Sequence, residues 1–248
     1  MTLLPTELLL LLAFVALCFG FVKAGIPSLG ALIAAIVALA FSPREALGIC
    51  LLFLLTGDFV AVSFYWRLAH FKELKKMILP VLLGIISGGF LLSLLDNEHL
   101  GLVIGLTILT LVALEPFRPQ LAEWAFKHPR SVRSCSGFLA GVATTIGNAA
   151  GSIMALYFLL LKLDKKAFVG TSSVFFLCVN LTKLPIFYFQ GLFTPAYFPS
   201  MLLVSPLILI GALAGKKFLE WVPQLWFNRI ILLCTALAGG WLVLRYFL

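Results

Sequence analysis

The chain has 248 residues, of which 62% are hydrophobic and 11% charged, and a formal net charge of +8. A soluble domain carries about 45–50% apolar and about 25% charged residues, so this composition excludes a soluble globular fold and calls for lipid as the solvent. The positive charge would suggest a nucleic-acid partner in a soluble protein; here it sits in short connectors between apolar runs, which excludes nucleic acid and makes the charges markers of topology.

The first apolar run, Leu8 to Val22, begins a chain with no Lys or Arg before Lys23 and with Leu17 ahead of Cys18. It therefore lacks both the basic start and the small residue of a cleaved leader, and the N-terminus is expected to remain as the first helix. The segment Gly20-Phe21-Val22-Lys23-Ala24-Gly25-Ile26-Pro27-Ser28-Leu29-Gly30 then interrupts the run before apolar residues resume. Irregular backbone at membrane depth is tolerated only where it is buried in protein or lines a cavity. Thr2–Phe41 is thus expected to form a hairpin that either crosses twice or re-enters.

The next span, Glu45–Trp66, holds Asp58, the one carboxylate deep in a span. Placing a carboxylate there costs about 2.5–3.5 kcal/mol on insertion scales, so such a residue is a functional candidate by default. After Arg67, Lys72, Lys75 and Lys76 comes the span Glu73–Leu95. The connector Asp96 to His99, free of Lys and Arg, leads to Asn97–Glu115 and then to Arg118, Lys127, Arg130 and Arg133.

A second interrupted run follows, Gly141-Val142-Ala143-Thr144-Thr145-Ile146-Gly147-Asn148-Ala149-Ala150-Gly151, closed by Lys162, Lys165 and Lys166. With basic connectors on both sides, it too is expected to be a hairpin, crossing twice or re-entrant. The span Lys166–Phe189 contains Asn180 and Lys183. The uncharged connector Gln190–Ala196, the span Ala196–Leu219, the basic group Lys216, Lys217 and Arg229, and the span Gln224–Leu244 complete the chain.

Fourteen of the 18 Lys and Arg lie in these four connectors, which the positive-inside rule makes cytoplasmic. The expected fold is an all-α polytopic membrane protein with an inverted-topology repeat, each half a hairpin plus three transmembrane helices. The halves are 1–116 and 133–248, joined by a cytoplasmic connector 117–132 within one transmembrane domain. An odd number of crossings per half inverts the halves and places both termini outside. Spacing agrees: Gly20 and Gly30 precede Gly141 and Gly151 by 121 residues, and Pro80 and Gly89 precede Pro206 and Gly215 by 126.

Paired interruptions in two halves are the best sequence pointer to a transporter's binding site. Helices restarting after Pro27 and Asn148 offer free N–H groups and a positive dipole end, which suits an anion. Ser28, Thr144, Thr145 and Asn148 add neutral donors, and Lys23 is a fixed positive charge if the first tip is re-entrant, or one more inside charge if it reaches the surface. Lys183 is either a ligand or a side chain snorkelling to the outer interface. Asn180 and Asp58 either meet near the midplane or merely join helices by hydrogen bonds. The glycines alone could serve close helix packing. Five cysteines without a CxxC pair and three histidines confined to connectors give no metal site and argue against an intramembrane hydrolase; no cofactor is expected.

The run Gly137 to Gly151, with Phe168-Val169-Gly170-Thr171-Ser172-Ser173 and Val179-Asn180-Leu181-Thr182-Lys183-Leu184-Pro185, resembles the second-half core of the TauE/SafE family of sulfite-exporter-like membrane proteins. The first half departs from the family's glycine cluster, with Lys23 and Pro27 between spread-out glycines. The resemblance implies a bacterial inner-membrane carrier of sulfur-containing anions such as sulfite or organosulfonates, exporting them, with the bilayer and the oxyanion as partners and homo-oligomerisation left open. Lys23, Ser28, Thr144, Thr145, Asn148, Asn180 and Lys183 are the expected substrate ligands and Asp58 the coupling residue. A carrier or channel for another small solute remains the alternative, and a polytopic membrane enzyme ranks last.

Overall fold

A computed structural model describes residues 4–94 and 127–247, with isolated positions between 102 and 113. Among the described residues every regular element is helical: α1 (Thr6–Ala24), α2 (Gly30–Ala40), α3 (Pro43–Tyr65), α4 (Phe71–Leu94), α5 (Pro129–Gly147), α6 (Ala150–Leu160), α7 (Lys165–Phe189), α8 (Phe198–Val204), α9 (Pro206–Trp221) and α10 (Gln224–Phe247). Among the described residues four helices are long and apolar enough to cross a membrane, and α8 with α9 makes a fifth if the bent pair counts as one span. The expected crossing Asn97–Glu115 and most of the connector 117–132 lie outside the described residues.

One expected span is bent. Ala196–Leu219 is divided into α8 and α9, which meet at an angle of 49°. Pro206 opens α9; lacking an N–H and clashing with the preceding turn, proline cannot continue an α-helix without a kink.

Local sequence sets the other boundaries. Ser42 and Glu45 form a reciprocal capping box with Pro43 in the first turn of α3, and the Tyr197 hydroxyl donates to Glu45 Oε1 at 2.7 Å. Asp164 caps α7 by accepting from the amides of Lys166 and Ala167. At the hairpin break, α5 stops where Asn148 turns left-handed, with φ 54°. Asparagine tolerates that conformation better than most residues, and the Asn148 and Ala149 amides close back on the Thr144 and Ala143 carbonyls. The first interruption is resolved differently: α1 ends at Ala24, a 3₁₀ turn spans Pro27–Leu29, and α2 follows from Gly30. The returning arms α2 and α6 have 11 residues each, about 16 Å, which is too short to cross a hydrocarbon core of about 30 Å.

The packing is reciprocal. The first arm of each hairpin lies along a helix from outside that hairpin: α5 against α4 and α1 against α9, while α3 packs on α7. Small residues set these approaches. A methyl group on Gly141 would stand 2.8 Å from the Ile85 amide nitrogen and 2.9 Å from Gly84 Cα. At the other seam a Cβ on Gly20 would overlap the Ile208 carbonyl. Such contacts are the usual means by which helices associate in lipid, where no hydrophobic driving force separates helix from solvent. A polar cluster ties the basic end of the α4–α5 seam: Arg133 Nε donates to Glu73 Oε2 at 3.1 Å, Lys76 pairs with Glu73 at 2.7 Å, and the Tyr157 hydroxyl donates to the same carboxylate at 3.4 Å.

These contacts separate packing glycines from spare ones. Gly141→Ala should destabilise the protein by about 1–3 kcal/mol, the usual cost of overpacking. Gly147→Ala, with nothing within 4 Å of its added carbon, should change stability by no more than about 0.5 kcal/mol. Thermal unfolding of the two variants in the same detergent checks the contrast.

Candidate functional site

The breaks in the two hairpins bring their tips to the α3–α7 seam, where most of the buried charge of the described residues is found. Lys23, on the last turn of α1, is 4% exposed, and Asp58 and Lys183 are wholly buried. Lys23 Nζ stands 2.6 Å from Asp58 Oδ1 and 4.6 Å from the centre of the Phe176 ring. Asn180 Nδ2 donates to the other carboxylate oxygen at 2.6 Å. Asp58 and Asn180 therefore meet across α3 and α7, a contact that an interhelical hydrogen bond alone would also make.

The second cluster adjoins the α5 tip. Lys183 Nζ donates to the Thr144 carbonyl at 3.1 Å, to Thr144 Oγ1 at 3.1 Å and to Asn148 Oδ1 at 2.7 Å. Three oxygens around one nitrogen match the three N–H groups of an ammonium. The snorkelling reading of Lys183 is thereby corrected. Side chains on a helix lean toward its N-terminus, so Lys183 turns back along α7, away from the nearer end at Phe189, and meets the tip instead. Asn148 serves twice, as the left-handed turn and as an acceptor for this lysine.

Between the clusters lies a cavity of about 20 Å³ lined by Lys23, Pro27, Gly30, Thr144, Asn148 and Asn180 among others. That is room for about one water. Gly30 opens α2 and Gly151, which also lines the cavity, lies in the first turn of α6, so both restarted helices turn their N-terminal ends toward it. A larger cavity of about 250 Å³ runs between α4 and α7, but its lining is almost wholly apolar, with Lys75 and Thr182 the polar exceptions. It offers too few donors to hold a small anion.

One expected ligand stands apart. The Thr145 hydroxyl donates to the Gly141 carbonyl of its own helix at 2.9 Å, and its Cβ faces Gly88 of α4. Ser28 belongs to the Pro27–Leu29 turn, and its side chain lies outside the described residues. The residues not anticipated are Phe176 and Phe187, whose rings face Lys23 and Lys183, and Gly57. A Cβ on Gly57 would stand 2.9 Å from Lys23 Cγ, so this glycine makes room for the lysine stem beside Asp58. A glycine directly before a buried aspartate was the available signal.

Breaking a buried pair leaves an uncompensated charge, at a cost of about 3–5 kcal/mol. Lys23→Met should destabilise the protein by about that amount, and Lys23→Met combined with Asp58→Leu should regain most of it. Unfolding of both proteins in detergent tests this; equal losses in the single and double variants would contradict the pairing.

The family model described as sulfite exporter TauE/SafE matches residues 12–242. No curated protein and no solved structure matches the chain. With the match running from α1 to α10, the chain belongs to the TauE/SafE sulfite exporter family.

Proposed function

We propose that this TauE/SafE-family membrane protein carries a small sulfur oxyanion, sulfite or an organosulfonate, out of the cell across the cytoplasmic membrane, binding it between the tips of two re-entrant hairpins. The observation that carries the reading is the charge balance at the tips: two buried lysines, Lys23 and Lys183, against one buried carboxylate, Asp58. An unbalanced positive charge in a low-dielectric interior is costly, and an anion arriving there removes it. Neutral donors and helix N-termini complete a grip that allows release.

In this reading the proposed ligands are Lys23, Ser28, Thr144, Asn148, Asn180 and Lys183, with Thr145 holding its helix against α4. The cavity is the size of one water in the closed arrangement described here, so an anion enters only when the tips part. Lys23 is shared: its partner is Asp58 in the empty site and the anion in the loaded one. Asp58, released as the anion takes Lys23, is then the group that senses loading and couples it to movement. The reciprocal packing of α1 on α9 and α5 on α4 supports an inverted repeat with halves 1–116 and 133–248 about the connector 117–132. The basic connectors support an inner-membrane orientation with both termini outside.

Proteoliposomes loaded with sulfite, sulfate, thiosulfate or sulfoacetate test the reading. Sulfite or sulfoacetate efflux should exceed that of protein-free vesicles, whereas a protein that moves none of the four is a carrier for another solute. Asn148→Ala and Lys183→Ala should each weaken sulfite binding about tenfold or more, the worth of one charge-assisted hydrogen bond. Asp58→Asn should keep binding within a few-fold while abolishing coupled transport; normal transport by that variant would assign Asp58 to packing.

A further inference from the structure

The site's charge and its unpaired hydrogen-bonding atoms together specify a ligand more narrowly than "oxyanion", an inference that rests on the carrier reading above. The titratable groups facing the site are Lys23 from α1, Asp58 and the Cys50 thiol from α3, and Lys183 from α7. The tips of α5 and α6 and the Pro27–Leu29 turn contribute backbone and neutral side chains. With both lysines as ammonium groups and Asp58 ionised, the empty site holds one net positive charge. A singly charged anion brings it to neutrality. A doubly charged anion would leave an equal charge of opposite sign.

The second observation is independent of the first. Both asparagine amides have their orientation fixed by an ion. Asn180 must present Nδ2 to Asp58, since a carboxylate accepts and does not donate; Asn148 must present Oδ1 to Lys183, since an ammonium donates and does not accept. The opposite ends, Asn180 Oδ1 and Asn148 Nδ2, are buried and have no hydrogen-bond partner among the described residues. Both residues line the cavity. Among these side-chain amides the site thus offers one free donor and one free acceptor. A fully deprotonated oxyanion could use the donor but would set its oxygens against the Asn180 carbonyl. An anion that carries a proton can accept from Asn148 and donate to Asn180.

We infer that the transported species is a monoanion bearing its own proton, hydrogensulfite and not the sulfite dianion, and that Asn180 is the residue that selects it. Each turnover then carries a proton on the substrate itself, with no separate proton site needed.

The test is titration calorimetry of the full chain in nanodiscs with sodium sulfite below and above neutrality. Methanesulfonate, a monoanion with no proton to give across this range, and sulfate, a dianion throughout it, serve as competitors. Sulfite affinity should fall with rising pH in step with the hydrogensulfite fraction, while methanesulfonate affinity stays constant. Sulfate should bind at least about tenfold more weakly than sulfite at the lower pH, the worth of roughly one hydrogen bond to a charged group. Asn180→Ala should bring the sulfite-to-methanesulfonate affinity ratio to within about threefold of unity, a readout that general loss of structure would not produce. Sulfite affinity that rises with pH, or sulfate competing equally, overturns the inference and leaves the carrier reading standing. Parallel weakening of sulfite and methanesulfonate assigns the pH dependence to the lysines and also overturns it. Binding of neither anion at any pH, with the tips holding only water, removes the carrier reading as well.

Discussion

A charge in the middle of a membrane protein has to be matched by another, and the arrangement of this chain follows from an incomplete match. Asp58 is paired on one side with Lys23 and on the other with Asn180, so its carboxylate is fully engaged. Lys183 has no carboxylate of its own and is held by three neutral oxygens at the α5 tip. Neutral oxygens solvate an ammonium without cancelling its charge. Several features converge on the two lysines: the broken hairpins that deliver oxygens to Lys183, the glycine seams that bring the hairpins in, and the aromatic rings of Phe176 and Phe187 beside the two Nζ atoms.

The hairpin breaks are built from different residues and reach the same end. The first uses Pro27, which removes an N–H and forces a 3₁₀ turn; the second uses Asn148, which adopts the left-handed conformation. Each frees the end of one helix and the start of another beside the cavity. The polar partners differ between the two breaks as well. At the first the hairpin supplies the cation, Lys23, and the long helix α3 the acceptor. At the second the long helix α7 supplies the cation and the hairpin the acceptors Thr144 and Asn148. The arms of the two hairpins nonetheless have equal lengths, 19 and 11 residues.

Much of this was legible in the sequence, for reasons that can be stated residue by residue. Asp58 stood out because a carboxylate in a run of apolar residues has no cheap explanation, and Asn148 because a glycine–asparagine pair in such a run breaks a helix. Lys183 was ambiguous because distance from a helix end indicates snorkelling only when side-chain direction is ignored; on α7 that direction runs back toward the tip. Thr145 was indistinguishable from Thr144 in sequence, since which of two adjacent hydroxyls faces the seam depends on a rotation fixed only by packing on Gly88. The division of the span at Pro206 was visible as a proline but not as an angle. Phe176 carried no signal by itself and Gly57 only its place directly before the aspartate, because their roles exist in relation to the head and stem of Lys23.

The same packing constrains how the site could open. Where Gly84 meets Gly141 and Gly25 meets Gly215, backbones touch with no intervening side chains, and neither seam can slide far without overlap. Each hairpin's first arm is therefore locked to its partner helix, α5 to α4 and α1 to α9. The α3–α7 seam is different in kind. Besides apolar contacts it is joined by the bond from Asn180 to Asp58 and, at its end, by the His70 amide donating to Thr171 Oγ1 at 3.0 Å. Separation along that seam breaks few polar contacts, and the one at its centre belongs to the carboxylate that an arriving anion would deprive of Lys23. In the proposed carrier, the charge that would select the substrate and the joint that would have to yield to it are thus the same group of atoms, so that loading and opening would be a single electrostatic event.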